Sequence, residues 1–311
     1  MAKVSIIVPV HNTAEYLPKC IASLTAQSVD DMEIILVENC STDNSLEVCK
    51  NLAEGDNRIK VITIEVGHPS AARNAGIKAA SGDYVGFVDS DDFVDKEMYG
   101  DMYGLASQHD LDIVTCSFRM EYNDGTTRCA MPNDGSIRIM SGKEITLLNL
   151  HDKVSRVIPT MLIKRELLND FEFPIGVYFE DRATTHFLMS RTERAGVINK
   201  AYYGYFSRKG SRMHNGDNFK RMRDFVWANS CRLEFVRTTP LFTDEERPNA
   251  AKRCAEQYLR KLRHLLRLAT TPEEREEALL GCRKVDVIIP KGVRLPLRAR
   301  AIKWYIKLFV I

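Results

Sequence analysis

Apolar, β-branched runs fall at residues 4–10, 33–37, 60–66 and 84–88, and between them the apolar positions step with helical spacing over 13–27, 42–54 and 69–80. Strand-type and helix-type periods alternating in this way predict β-α-β-α-β-α-β, a mostly parallel sheet with helices on both faces. Local punctuation agrees. Asn12 to Glu15 has capping-box spacing, Ser41 or Thr42 is placed to cap the second helix, and Gly82 follows the third as a stop. A further strand is expected at 111–118, then turns at Asn123, Asp124, Gly125 and Asn133, Asp134, Gly135, and a helix near 141–151. From about Asn218 the pattern is helical to the end, with Thr271 and Pro272 opening one helix. The expected division is an α/β domain over 1–215 and a helical region over 216–311.

Composition adds bounds. The apolar fraction of 44% suits a globular chain of 311 residues, and the net charge of +2 hides acidic residues early and basic residues late. Eight cysteines show no Cys-x-x-Cys pair and no apolar leader precedes Lys3, so reduced thiols and a cytoplasmic location are expected. No window supplies the roughly 18 apolar residues of a spanning helix. In the stretch 294–311, Arg298, Arg300, Lys303 and Lys307 alternate with Ile302, Trp304, Tyr305, Ile306, Leu308 and Phe309. Two readings stand side by side: a helix lying on anionic lipid at the inner face of the cell membrane, or a helix packed on its own domain with a solvated basic face. No nucleic-acid partner is expected.

The candidate chemistry sits at strand ends, where open sheets of this kind bind ligands. The fourth strand runs into Asp89, Ser90, Asp91 and Asp92. Three carboxylates so close repel one another unless a cation neutralises them, and a divalent metal carrying phosphates does so. Metal-assisted chemistry on a nucleotide-linked substrate follows. The bland alternative is a solvated turn whose aspartates cap a helix.

The ordered set of residues 4–12, Ser41-Thr42-Asp43-Asn44-Ser45, Ala72-Arg73-Asn74-Ala75-Gly76, Asp89-Ser90-Asp91-Asp92 and Glu180-Asp181 resembles the family 2 glycosyltransferases of the GT-A fold, over about the first 215 residues. The resemblance implies an inverting transferase that takes a sugar from a nucleotide donor, usually UDP-linked, with Mn2+ or Mg2+, and passes it to a hydroxyl of a glycan, lipid-linked or polymer acceptor in bacterial polysaccharide or cell-wall synthesis. It assigns the metal to Asp91 with Asp89, and His214 as a further ligand. The general base falls on Asp181, and the donor contacts on Pro9, His11, Glu38, Asn39, Arg73, Asp89, Ser90, Asp91, Arg208 and Arg212. Simpler roles compete: an acidic pair opening a helix for Asp181, a salt bridge for Arg73, a surface histidine for His214.

The sequence departs from the family at two places. The common Asp-Asp-Gly-Ser reads Glu38-Asn39-Cys40-Ser41; an amide oxygen can still accept from a base N–H, and Cys40 requires a reshaped turn if that position needs positive φ. At residues 158–165 the Trp and Lys that the family often carries ahead of its Leu-Tyr-Lys-Arg-like run are missing, so acceptor identity does not transfer. Two other classes compete. One is a degenerate binding module that partners an active transferase. The other is a sugar-nucleotide nucleotidyltransferase, against which the glycine-free Pro9 to Thr13 segment argues.

Overall fold

The computed structural model describes residues 2–29, 31–122, 124–207 and 217–309. The first part alternates as β1 (Val4–Val10), α1 (Leu17–Thr25), β2 (Met32–Asn39), α2 (Ser45–Gly55), β3 (Ile59–Ile64), α3 (Pro69–Ala79) and β4 (Tyr84–Phe87). There follow β5 (Phe93–Val94), α4 (Met98–His109), β6 (Ile113–Glu121), β7 (Thr127–Cys129), β8 (Ile137–Ser141), α5 (Gly142–Leu150), β9 (Met161–Lys164), α6 (Glu180–Ser190) and β10 (Arg194–Phe206). Helices α7 (Asn218–Thr238), α8 (Arg247–Leu268), α9 (Pro272–Arg283), α10 (Val285–Ile288) and α11 (Leu297–Phe309) complete the described chain. None is long and apolar enough to cross a membrane among the described residues.

The strands form one mixed sheet in the order β3-β2-β1-β4-β9-β6-β10-β5, with β7 on β6 and β8 on β10. Pairing is parallel from β3 to β4, and β9 then enters antiparallel between β4 and β6. Alternation of side chains across the strands sends Ile6 and Val8 into the core with Leu17, Ile21, Tyr99 and Met102. Ile7 faces the other way, toward α3, whose Gly76 approaches so closely that an added Cβ would lie 2.3 Å from Ile7 Cγ2. Pro9 is tolerated inside a central strand because the β1–β4 ladder closes at Ile7 and Val88, so its missing N–H breaks no ladder bond.

Two expectations about helix starts are corrected. Helix α1 opens at Leu17 without a side-chain cap; the Asn12 Oδ1 that was to cap it accepts instead from Thr42 N at 2.7 Å and Asp43 N at 3.4 Å. For α2, neither Ser41 nor Thr42 caps; Asp43 Oδ1 accepts from Ser45 N at 3.0 Å. Thr271 and Glu274 form the expected capping box on α9.

Two compact units emerge: Met1–Ile145, Val154–Gly176 and Arg191–Lys209 in one, Thr146–Lys153, Val177–Ser190 and Gly210–Ile311 in the other. The segments 146–153 and 177–190, expected in the first domain, therefore belong with the C-terminal helices. Polar burial accounts for this. Asp152 accepts from Gln257 Nε2 at 2.6 Å, Arg253 Nε at 3.3 Å and Arg232 Nη1 at 3.4 Å, and pairs with Arg182 at 3.6 Å. Arg182 and Arg232 are almost fully buried, and a buried guanidinium stripped of these partners costs several kcal/mol, about 3–5.

Candidate active site

At the carboxyl edge of the sheet, three parallel strand ends stand side by side. Val10 is in register with Glu38, and Glu38 with Thr63. His11 Nδ1 donates to Asn39 O at 2.6 Å, and Asn12 N donates to Ser41 Oγ at 3.1 Å, so the β1 end is tied to the β2 turn. Glu38 is buried, and its longer side chain lets Oε1 swing back to accept from Ser41 N at 2.7 Å. Asn39 is also buried, and its Oδ1 meets no hydrogen-bond donor among the described residues. Cys40 adopts φ +57°. The turn therefore keeps the left-handed geometry that suits glycine and carries a side chain in it, with Sγ 3.5 Å from Ile64 O.

The acidic segment after β4 divides its labour. Asp92 is buried; Tyr203 Oη donates to its Oδ2 at 2.5 Å and Phe206 N to its Oδ1 at 2.8 Å. Burial pushes its carboxyl well above the usual range, and the neighbouring Asp91 and Asp89 push the same way. Tyr203 Oη also accepts from Asp89 N at 3.2 Å, which pins the loop to β10. The Ser90 hydroxyl is shared with Thr13 Oγ1 at 2.8 Å inside the fold. Asp89 and Asp91 remain part-exposed. Arg73 Nη2 donates to Asp89 Oδ1 at 2.8 Å from a side chain only 7% exposed, so one fixed cation partly offsets the cluster.

Helix α3 shows why its residues come in that order. His68 caps it by accepting from Ser70 N, and Arg73 reaches Asp89. Asn74 exchanges two hydrogen bonds with the Phe173 backbone, at 2.8 and 3.0 Å, and Gly76 lies on Ile7.

In the second unit Asp181 stands in the first turn of α6, where the helix dipole favours a carboxylate, and its Oδ1 accepts from Arg182 N at 2.6 Å. Phe179 just before it takes φ +62° and packs edge-on against Phe225 at 5.0 Å. Arg182 donates to Gln257 Oε1 at 2.6 Å and lies 4.7 Å from the Phe225 ring, so α6 begins from a fixed point. His186, on the same helix, is fully buried, and burial holds its pKa well below the usual imidazole value, so it is neutral.

The sequence profile described as Glycosyl transferase family 2 matches residues 5–171. The chain belongs to glycosyltransferase family 2. Glycosyltransferase GlyG of Streptococcus pneumoniae is 33% identical over 231 residues, 72% of this chain and 77% of GlyG. The poly(ribitol-phosphate) β-N-acetylglucosaminyltransferase TarS of Staphylococcus aureus is 32% identical over 225 residues, which span 68% of this chain and 37% of TarS. The crystal structure of TarS 1–349 in complex with UDP-GlcNAc superposes with a TM-score of 0.76 at 22% identity, covering 98% of this chain and 87% of that one. A mannosyltransferase from Pyrobaculum calidifontis, solved with GDP-Man and Mn2+, superposes at 0.54 with 16% identity, covering 98% and 85%. The fold is thus the GT-A fold with C-terminal helices, and the chain is a glycosyltransferase.

For this family 2 enzyme, Pro9, His11, Glu38, Asn39, Arg73, Asp89, Ser90 and Asp91 all lie on the first unit, seven on strand ends or the loops leaving them and Arg73 on α3. Asp181 lies on the second. Arg208, Arg212 and His214 lie outside the described residues. Sequence reasoning missed Asp92 as the anchor of the acidic loop; its signal was the apolar Phe93 and Val94 that follow and carry it inward. Among the described residues no three His, Cys, Asp or Glu side chains gather as a metal shell. Asp89 and Asp91 offer hard oxygen donors, which suits a Mg2+- or Mn2+-type ion that completes its shell with phosphate and water.

Proposed function

We propose that this glycosyltransferase moves a sugar, with inversion, from a UDP-linked donor to a hydroxyl of a glycan, lipid-linked or polymer acceptor, within bacterial surface-glycan synthesis. The observation that carries the proposal is the part-exposed pair Asp89 and Asp91 at the sheet's ligand-binding edge, with Asp92 held inward and Arg73 at its side. Asp91, with Asp89, would hold Mn2+ or Mg2+. When bound, the ion supplies positive charge to the departing diphosphate. Arg73 orients Asp89 and sets a fixed positive charge beside it. Asn39, whose amide oxygen can accept from the uracil N3–H, is the proposed base contact. TarS, a named N-acetylglucosaminyltransferase seen with UDP-GlcNAc, points to the same donor class.

Asp181 is the proposed base. It takes the proton of the acceptor hydroxyl, which becomes acidic only as the new C–O bond forms, so an ordinary carboxylate suffices. Arg208 and Arg212 are the proposed partners of diphosphate charge, and His214 a proposed metal ligand.

Calorimetric titration with UDP-, GDP- and dTDP-sugars, with and without Mn2+, tests the donor. UDP-sugar binding that strengthens with Mn2+ in the parent and loses that dependence in Asp91→Ala is expected. Asp181→Asn should bind donor normally and lose turnover by roughly 10²–10⁴-fold. Metal-independent binding in the parent, or normal transfer by Asp181→Asn, would overturn the assignment.

A further inference from the structure

Helix α11 carries two apolar rows. Ala299, Ile302 and Ile306 are buried in the second unit's core. At about 100° per residue the opposite side of the helix is Leu297, Ala301 and Trp304, spaced i, i+4, i+7. These three face solvent, Leu297 at 76% and Trp304 at 63% exposure. The same angles put Arg300 and Lys307 along one border of this outer row and Arg298 with Tyr305 along the other, all exposed. Packing within the unit accounts for the inner row, while the outer row stands exposed to water.

Charge says what covers it. Residues 287–311 contain Lys291, Arg294, Arg298, Arg300, Lys303 and Lys307 and no Asp or Glu. Asp286, just before, draws Lys303 and Lys307 to 3.1 and 2.5 Å and so offsets part of that charge while bracing the helix. Arg294, Arg298 and Arg300 are exposed. An apolar row with an aromatic ring, bordered on both sides by cations, matches the boundary between acyl chains and anionic headgroups. A protein groove would need acidic rims at matching places, and a nucleic acid would leave Leu297 and Trp304 unburied.

We propose that α11 docks this protein in the plane of an anionic bilayer, with Leu297, Ala301 and Trp304 at the headgroup–acyl boundary and Arg298 and Arg300 against lipid phosphates. The inner row stays in the fold, so docking requires no unfolding of the helix. The inference is independent of the donor chemistry proposed above.

The test uses the full chain with Trp227→Phe, which leaves Trp304 as its one tryptophan. Vesicles of phosphatidylcholine alone are compared with equal parts phosphatidylcholine and phosphatidylglycerol, some carrying brominated acyl chains. Co-sedimentation with the anionic vesicles only, together with a blue shift and bromine quenching of Trp304, is expected. Leu297→Ser with Trp304→Ser should weaken co-sedimentation by roughly 10–100-fold. Arg298→Ala and Arg300→Ala should each weaken it roughly 5-fold. All four substitutions are at exposed positions, so melting temperature and donor affinity should stay unchanged. Absence of binding would overturn the proposal, as would equal binding to both vesicle types, or binding that survives loss of the outer row with Trp304 unquenched. A dimer in solution that Trp304→Ser dissociates would assign the row to a second copy instead.

Discussion

Glu33 is a carboxylate buried near the start of β2, and removing its charge should cost more than a typical surface change. It is 5% exposed and ties β1, β3 and the turn before β4 together. Its Oε1 accepts from Ser5 Oγ at 2.5 Å and from Ser81 N and Oγ, each at 2.7 Å, while Oε2 meets Lys60 at 2.6 Å. Burial alone would raise its pKa, but Lys60, Ser5 and the two Ser81 donors overcome that and hold it down from 4.5 to about 2. A drop of that size is worth about 3 kcal/mol of folding stability. Because the folded pKa is depressed, the contribution is present above about pH 4.5 and is lost progressively as the pH falls toward 2. In Glu33→Gln the amide oxygen can retain the serine donors, but its NH2 faces the Lys60 ammonium, so a loss of about 2–3 kcal/mol at neutral pH is expected. Urea unfolding of parent and variant from about pH 7 to about pH 3.5 measures both quantities. The gap between the two proteins should narrow across that range. A variant within about 0.5 kcal/mol of the parent at neutral pH, or a gap that does not change with pH, would refute the reasoning.

Two further substitutions test backbone arguments. Cys40→Gly removes a side chain from a left-handed residue, at about 1–2 kcal/mol, and restores unfolded-chain freedom worth about 0.5–1, so a net gain of about 0.5–1 kcal/mol is expected in the same assay; a loss would mean that the Cys40 thiol contact with Ile64 O outweighs the strain. At Gly82 an added Cβ would lie 2.7 Å from Ser5 N, a backbone atom that cannot move aside. Gly82→Ala should therefore lose about 2–3 kcal/mol, and an unchanged urea midpoint would show that the turn shifts freely.

How far the fold was legible varied with how local its causes are. The run at 4–10 reads directly as β1, since its apolar residues and flanking polar turn decide it without outside help. The start of α1 misled because Asn12 has a stronger use across the loop, on Thr42 and Asp43, than along its own helix. Strand β9 was not read at all: four residues carry too little periodicity, and its place between β4 and β6 depends on partners on both sides. At the candidate site, pattern put the acidic segment and Glu38–Asn39 at strand ends, and Arg73 was named by the family resemblance alone. It could not tell which aspartate turns inward, because that depends on Tyr203, more than a hundred residues away in sequence. The departure at Cys40 looked like a disruption; the turn instead absorbs it at φ +57°. The threading of 146–153 and 177–190 into the second unit was invisible for the same nonlocal reason, since Asp152 collects cations from three distant segments.

That threading sets an order of events on the ribosome. Arg182, next to Asp181, finds its Gln257 partner 75 residues later, so at about 5–20 residues per second the segment waits roughly 4–15 s after emerging before it can be secured. The stretch that matches the family profile, 5–171, is by then already outside. A nascent chain thus completes the parallel strands of its first unit well before the start of α6, where Asp181 stands, is fastened in place, so a truncated product carries the acidic loop after β4 without a settled Asp181.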